Sequence, residues 1–250
     1  MSICLMLIAH FLADFTLQPE KLAQKKQQKI SYFMVHILIY ALVFSFVFLL
    51  LGNSFIPWLI IMLSHLLVDL IRMLIDKKQS SNTSLLISFV LDQVIHISII
   101  IFIYYAFNFD AAAAKLDFII ENRYLYNFIV YLLTFLILWD PAAIFINKLF
   151  DSIFNNEIHK SEHYQDISNR EQVKNEPRVG RIIGKLERII VSFFIFNAQF
   201  GTIGFVLTAK SIARYKQLED KEFAEKYIVG TLTSVFISMI VTIILKQLLV

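Results

Sequence analysis

The chain alternates long apolar runs with short polar ones. Residues 30–68 contain no Asp, Glu, Lys or Arg. Residues 79–109 contain only Asp92, and residues 124–147 only Asp140. Residues 189–209 and 227–245 again contain none. Runs of this kind match the ~20 residues that an α-helix needs to cross a bilayer core. The pattern predicts helices over 2–18, 31–51, 55–75, 85–107, 125–147, 187–208 and 227–248, with Gly52-Asn53 as a tight turn between the second and third. In hydrocarbon the backbone must satisfy its own polar groups, so the expected fold class is all-α, a polytopic transmembrane bundle of about seven spans. The interruption Asn197-Ala198-Gln199-Phe200-Gly201 leaves a second arrangement open, six spans plus a re-entrant hairpin.

Composition agrees: 58% of residues are hydrophobic and 17% charged, which excludes an ordinary soluble domain. The N-terminal run lacks a basic start and a small-residue cleavage site, so it is expected to stay as a short first helix. A single cysteine, Cys4, excludes a disulfide framework and a Cys-rich metal site. The net charge of +3 sits in the loops and suits membrane orientation rather than nucleic-acid binding. Four regions are expected: 1–107 with four helices, 108–150 with a fifth, a polar cytoplasmic loop at 151–181, and a C-terminal membrane hairpin region at 182–250.

Basic residues in the 19–30 and 76–84 connections place those segments, and 148–186, in the cytoplasm with the N-terminus outside. Seven spans then put 209–226 outside. That segment carries Lys210, Arg214, Lys216, Lys221 and Lys226, against the positive-inside rule.

Chemistry concentrates in the first four helices. Four of the six histidines lie in apolar runs, and three have an aspartate four residues away: His10/Asp14, His65/Asp69 and Asp92/His96, with His36 as the fourth histidine. Positions i and i+4 share a helix face. Counted from the cytoplasmic helix ends at 1.5 Å per residue, all seven groups fall in a layer ~10 Å thick. In each pair the aspartate is the shallower member. Charged side chains in a membrane cost ~2.5–3.5 kcal/mol each on insertion scales, so a shared purpose is expected. Neutral imidazoles with carboxylates suit a divalent ion, zinc or manganese first, and three acids allow two ions. The expected ligands are His10, His36, His65 and His96 with Asp14, Asp69 and Asp92. Asp14, Asp69, Asp92 and Gln93 are the catalytic candidates, one carboxylate serving as base. Gln18 and Asp140 are placed to orient a ligand; Asp140 before Pro141 equally suits a helix cap. A buried ion pair is the plainer explanation for any one pair, but a weaker one for three pairs at one depth. His159 and His163 repeat the spacing in a polar stretch, 151–178, and read as a solvated surface.

His10-x-x-x-Asp14-Phe15-x-x-Gln18, His36, His65-x-x-x-Asp69 and Asp92-Gln93-x-x-His96 together resemble the bacterial membrane family known as domain of unknown function 3307. The resemblance covers residues 1 to about 107. It extends further through Gly184-Lys185-Leu186-Glu187-Arg188, Gln199, Ala209–Arg214 and Ala224–Thr231. It implies a bacterial cytoplasmic-membrane location without supplying an activity. A more distant likeness is to membrane-bound metal-dependent hydrolases, which also carry His-x-x-x-Asp in membrane helices.

In the C-terminal half, Glu187 and Arg188 open the sixth predicted helix, while Lys210 and Arg214 present two cations on one helix face. They suit an anionic headgroup of a lipid or lipid-linked substrate. Interfacial snorkelling is the plainer alternative. The expected function is a membrane-embedded metal-dependent hydrolase acting on such a substrate. A divalent-metal transporter or channel, and a structural metal site in a partner-binding protein that uses 151–178 as its contact surface, are the alternatives. Positions 37–63 offer only Tyr40, Ser45, Asn53, Ser54 and the Trp58 indole as polar groups, which favours a one-sided cup over a through-path.

Overall fold

The computed structural model describes residues 1–19, 22, 25–26, 29–52, 55–79, 81–109, 122–154 and 176–249, with backbone alone at 176–179. The regular elements are helices: α1 (Ser2–Phe11), which runs on into a π-helical turn (Leu12–Thr16), α2 (Ile30–Leu51), α3 (Phe55–Asp76) and α4 (Asn82–Ala106). They continue with α5 (Arg123–Trp139), α6 (Pro141–Phe154), α7 (Glu176–Phe196), α8 (Phe200–Ala213) and α9 (Lys221–Lys246), with a short 3₁₀ turn (Tyr215–Glu219) before the last. Among the described residues, five stretches are long and apolar enough to cross a membrane: α2, α3, α4, the α5–α6 pair and α9. Ser2–Thr16 and α8 are shorter apolar helices. Leu38, Phe46, Leu63 and Phe236 are each more than half exposed. Such apolar side chains turned outward suit lipid, and the chain is an integral membrane protein.

The first four helices alternate in direction. His10 meets Tyr40 while Asp14 meets His36, so α1 and α2 are antiparallel. His65 faces His96 while Arg72 reaches Asp92, which makes α3 and α4 antiparallel too. Gly52 closes α2 in the left-handed region (φ 65°), a conformation that costs glycine little. Beyond the histidines, Phe44, Phe48, Leu51, Ile61, Ile100 and Ile103 pack into one apolar core. A second core, with Cys4, Phe11, Val130, Leu133, Leu136 and Leu245, joins α1 to α5 and α9.

Two expected helices prove to be broken. The 125–147 helix is interrupted at Asp140, because Pro141 brings no N–H to the ladder. The 187–208 helix is interrupted at Asn197–Gln199, where Ala198 adopts a positive φ of 56°. The chain reverses there. Thr242 donates to Ser192 at 2.9 Å, Lys210 links Glu187 to Thr231, and Lys246 reaches the Ile195 carbonyl at 3.0 Å. These contacts advance together along α7 and α9, so the two helices are parallel and α8 is the return limb. The 209–226 connection therefore lies at the end of the bundle where α6 stops, with the Lys226 ammonium 5.6 Å from the Phe154 ring centre. This corrects the single-helix expectation and removes the conflict with the positive-inside rule, because those five cations rejoin the basic end. Residues 155–175, with His159 and His163 and most of the 151–178 stretch, lie outside the described residues, as do 110–121.

Candidate metal centre

The first four helices bring every histidine and aspartate of the layer together. Asp14, His36, His65 and Asp69 each offer a donor atom within 4.8 Å of the others, and so do Asp69, Asp92 and His96. All six are buried. Asp69 belongs to both groups, as a bridging carboxylate between two ions would. His36 Nε2 lies 3.0 Å from Asp69 Oδ2, 3.5 Å from Asp14 Oδ1 and 3.2 Å from His65 Nε2. Two imidazole nitrogens facing each other share at most one proton, while two lone pairs and two carboxylate oxygens on one point suit a cation.

His10 lies outside both groups. Its Nδ1 is 3.3 Å from the Tyr40 hydroxyl and its Nε2 is 3.2 Å from Gln93 Oε1. The π-helical turn accounts for this. The Leu17 N–H donates to the Leu12 carbonyl, five residues back, at 2.8 Å. The wider turn shifts Asp14 out of the simple i, i+4 register with His10 and towards His36. Gln93 donates to Asp14 Oδ2 at 3.1 Å and to Asp92 Oδ2 at 2.9 Å. It thereby ties the α1 histidine to carboxylates of both groups.

Two cations enter the layer from its carboxylate side. Lys26 Nζ is 3.4 Å from Asp69 and 3.8 Å from Asp14, and donates to Gln18 Oε1 at 3.5 Å. Arg72 donates to Asp92 Oδ2 at 2.7 Å. Three carboxylates against these two cations leave one negative charge when the imidazoles are neutral, a costly excess in a buried site. Neither cation was singled out from sequence. Arg72 follows Asp69 by three residues inside an apolar helix, a spacing that offers the signal; Lys26 is one lysine among four in a polar connection and offers none. Tyr40 stacks flat on His65. It follows His36 by four residues, so it too was readable.

The remaining candidates lie elsewhere. Asp140 pairs with Lys185 on α7 at 2.5 Å, away from both donor groups, which corrects its placement in the layer. Glu187, Arg188, Lys210 and Arg214 do converge, but on a cavity among α6 to α9.

Orphaned atoms test the fit of a metal. Both ring nitrogens of His96 are buried without a hydrogen-bond partner, as are His36 Nδ1, His65 Nδ1, Asp69 Oδ1 and Asp92 Oδ1. A buried polar atom left unpaired costs ~1–3 kcal/mol, so six in one layer point to a group that satisfies several at once. Nitrogen and oxygen donors at this spacing fit a divalent ion at ~2.0–2.2 Å after small side-chain movements. No curated protein and no solved structure matches the chain. Residues 3–125 match a family model, and this stretch holds α1 to α4 and the whole His/Asp layer. The model that matches this region is that of the family described as Protein of unknown function (DUF3307).

Proposed function

We propose that this protein is a membrane-embedded metal-dependent hydrolase. It would hold one or two divalent ions, zinc or manganese, in the His/Asp layer and act on a lipid or lipid-linked substrate at the cytoplasmic leaflet. The observation that carries this reading is the pair of buried donor groups sharing Asp69, with an apolar core of described residues packed beyond them. The basic end formed by Lys26, Arg72 and the 209–226 segment supports a cytoplasmic orientation.

A transporter would need polar groups continuing past the site. Beyond the histidines the described residues instead form the apolar core around Phe44, Phe48, Leu51, Ile61 and Ile103, which favours an enzyme. A lateral opening supports a lipid substrate. A groove of about 300 Å³ between α3 and α4 is lined by Val68, Ile71, Ile87, Leu91 and Ile95, with Arg72 and Asp92 also in its wall. An acyl or isoprenoid chain suits that lining and would bring its polar head to Arg72 and Asp92.

A bound divalent ion supplies Lewis-acid polarisation of the ester and lowers the pKa of water. The chain's own groups do the rest. Gln93 holds Asp14 and Asp92 in fixed orientation, and Arg72 faces the negative charge that develops on a phosphoryl or carbonyl oxygen. Asp92, with Oδ1 free of hydrogen bonds, is placed to take the proton of the attacking water and return it to the leaving alcohol as the ester bond breaks.

The test is metal analysis of the protein purified in neutral detergent beside a His65→Ala/Asp69→Ala variant. The wild type should retain about one or two ions per chain and the variant none. Equal metal content in the two would overturn the site. Hydrolysis of phospholipid and isoprenoid-phosphate panels, run beside metal flux in vesicles, then separates enzyme from transporter.

A further inference from the structure

We infer that the C-terminal helices form a second binding site, for the phosphate of an anionic lipid headgroup. A cavity of about 430 Å³ lies among α6, α7, α8 and α9. Arg181, Arg188, Lys210, Arg214 and Lys226 line it, with Glu187 as the one lining carboxylate among the described residues. Arg188, Lys210 and Arg214 bring like charges to one opening, a repulsion that a bound anion relieves. Lys226 has its own partner, Glu222, at 2.5 Å. The rest of the wall is largely apolar, with Ala143, Ile146, Phe150 and Ile183, which suits the first atoms of a lipid chain rather than a small free solute.

The cationic wall is built rather than loose. Arg188 is buried, 3% exposed. Its Nε donates to the Leu138 carbonyl at 2.8 Å and its Nη2 to the Trp139 carbonyl at 3.5 Å. These carbonyls sit at the broken end of α5, where helix acceptors run out of donors. Nη1 is left facing Gly184, whose missing side chain opens the wall, since a Cβ there would sit 3.5 Å from it. Lys210 is held between Glu187 at 2.7 Å and Thr231 at 3.1 Å. A phosphate reaching it would exchange one oxygen anion for another and gain Arg188 and Arg214 as well. Arg214 is braced over the Phe223 ring at 6.0 Å.

The location fits a headgroup. Phe89 of α4 lies between Arg72 of the His/Asp layer, 5.4 Å from its ring centre, and Lys148 of α6, 5.8 Å from it. The cavity is therefore at the same end of the bundle as the carboxylates. It lies outside the family-matched residues 3–125 and its existence does not depend on metal in the layer.

The experiment uses the full chain in neutral detergent and measures binding of phosphatidylglycerol and phosphatidylcholine with identical acyl chains. Phosphatidylglycerol should bind the wild type about tenfold more tightly, and Lys210→Gln/Arg214→Gln should remove that preference. Gly184→Leu, which fills the cavity without changing charge, should also abolish it, while His65→Ala/Asp69→Ala should keep it. Competition by inorganic phosphate would assign recognition to the phosphate alone; absence of competition would assign it to the whole headgroup. Equal binding of the two lipids by the wild type, or unchanged preference in both cavity variants, would overturn the proposal.

Discussion

Tyr40 lies flat against His65, with ring centres 3.5 Å apart and planes 7° from parallel. Its hydroxyl also sits 3.3 Å from His10 Nδ1. One side chain of α2 thus fixes the orientation of histidines on α1 and α3. Outer groups of this kind commonly change metal affinity 10–100-fold. Tyr40→Phe keeps the stack and should leave metal affinity within a few-fold of wild type. Tyr40→Ala removes it and should weaken metal binding by about tenfold or more. Titration of the metal-free protein checks both, and an unchanged Tyr40→Ala affinity would show that Tyr40 only fills space.

Arg72 and Asp92 form a pair whose side chains are 17% and 1% exposed. Removing one partner of a buried pair leaves the other charge uncompensated, at ~3–5 kcal/mol. Arg72→Met should therefore lower stability by about 3 kcal/mol, the low end of that range, because Gln93 still donates to Asp92. Arg72→Met/Asp92→Asn should recover part of the loss, because the Asp92 charge is gone while Asp76, 3.5 Å from Arg72 Nε, still loses its partner. Unfolding in detergent micelles, run as a double-mutant cycle, reads the coupling. Additive losses would mean that the pair is not energetically joined.

The all-helical membrane fold and the His/Asp layer were legible because both follow from simple periods: apolar length for the helices, i, i+4 spacing for the pairs. Departures arise where local backbone chemistry overrides the period. The π-helical turn at Leu12–Thr16 leaves no compositional mark, yet it moves Asp14 away from His10. The reversal at Asn197–Gln199 was visible as polar and glycine residues in an apolar run. Its consequence, a return limb that restores the basic end, depends on packing of α7 beside α9. The surroundings of Lys26 and Asp140 are not legible along the chain for the same reason. Their partners, Asp14 and Asp69 for one and Lys185 for the other, are set by tertiary contact rather than by spacing along one helix.

Lys26 approaches the same carboxylates that an ion would take, at 3.4 Å from Asp69 and 3.8 Å from Asp14. A cation already in place competes with metal through simple charge repulsion. Lys26→Gln should raise divalent-metal affinity by about tenfold at neutral pH, while its stability without metal should fall because the carboxylates lose their counter-charge. Isothermal titration with zinc or manganese, paired with unfolding of the metal-free protein, measures the two effects separately. Weaker metal binding in Lys26→Gln would recast the lysine as a support that shapes the site rather than a rival for it.

Gly230 on α9 faces the Phe150 ring of α6. A Cβ there would lie 2.9 Å from Phe150 Cζ and 3.3 Å from Cε2, nearer than two carbons tolerate. Gly230→Ala gains helix propensity but must displace the ring, and overpacking costs ~1–3 kcal/mol. Phe150 also lines the C-terminal cavity, so the displaced ring has that space to enter. The variant should therefore lose about 1 kcal/mol of stability and, separately, weaken phosphatidylglycerol binding. Phe150→Leu in the same chain removes the clash and should restore both. Unfolding and lipid titration on the three variants distinguish a packing effect from a cavity effect. Restored stability without restored binding would mean that the Phe150 ring itself touches the lipid.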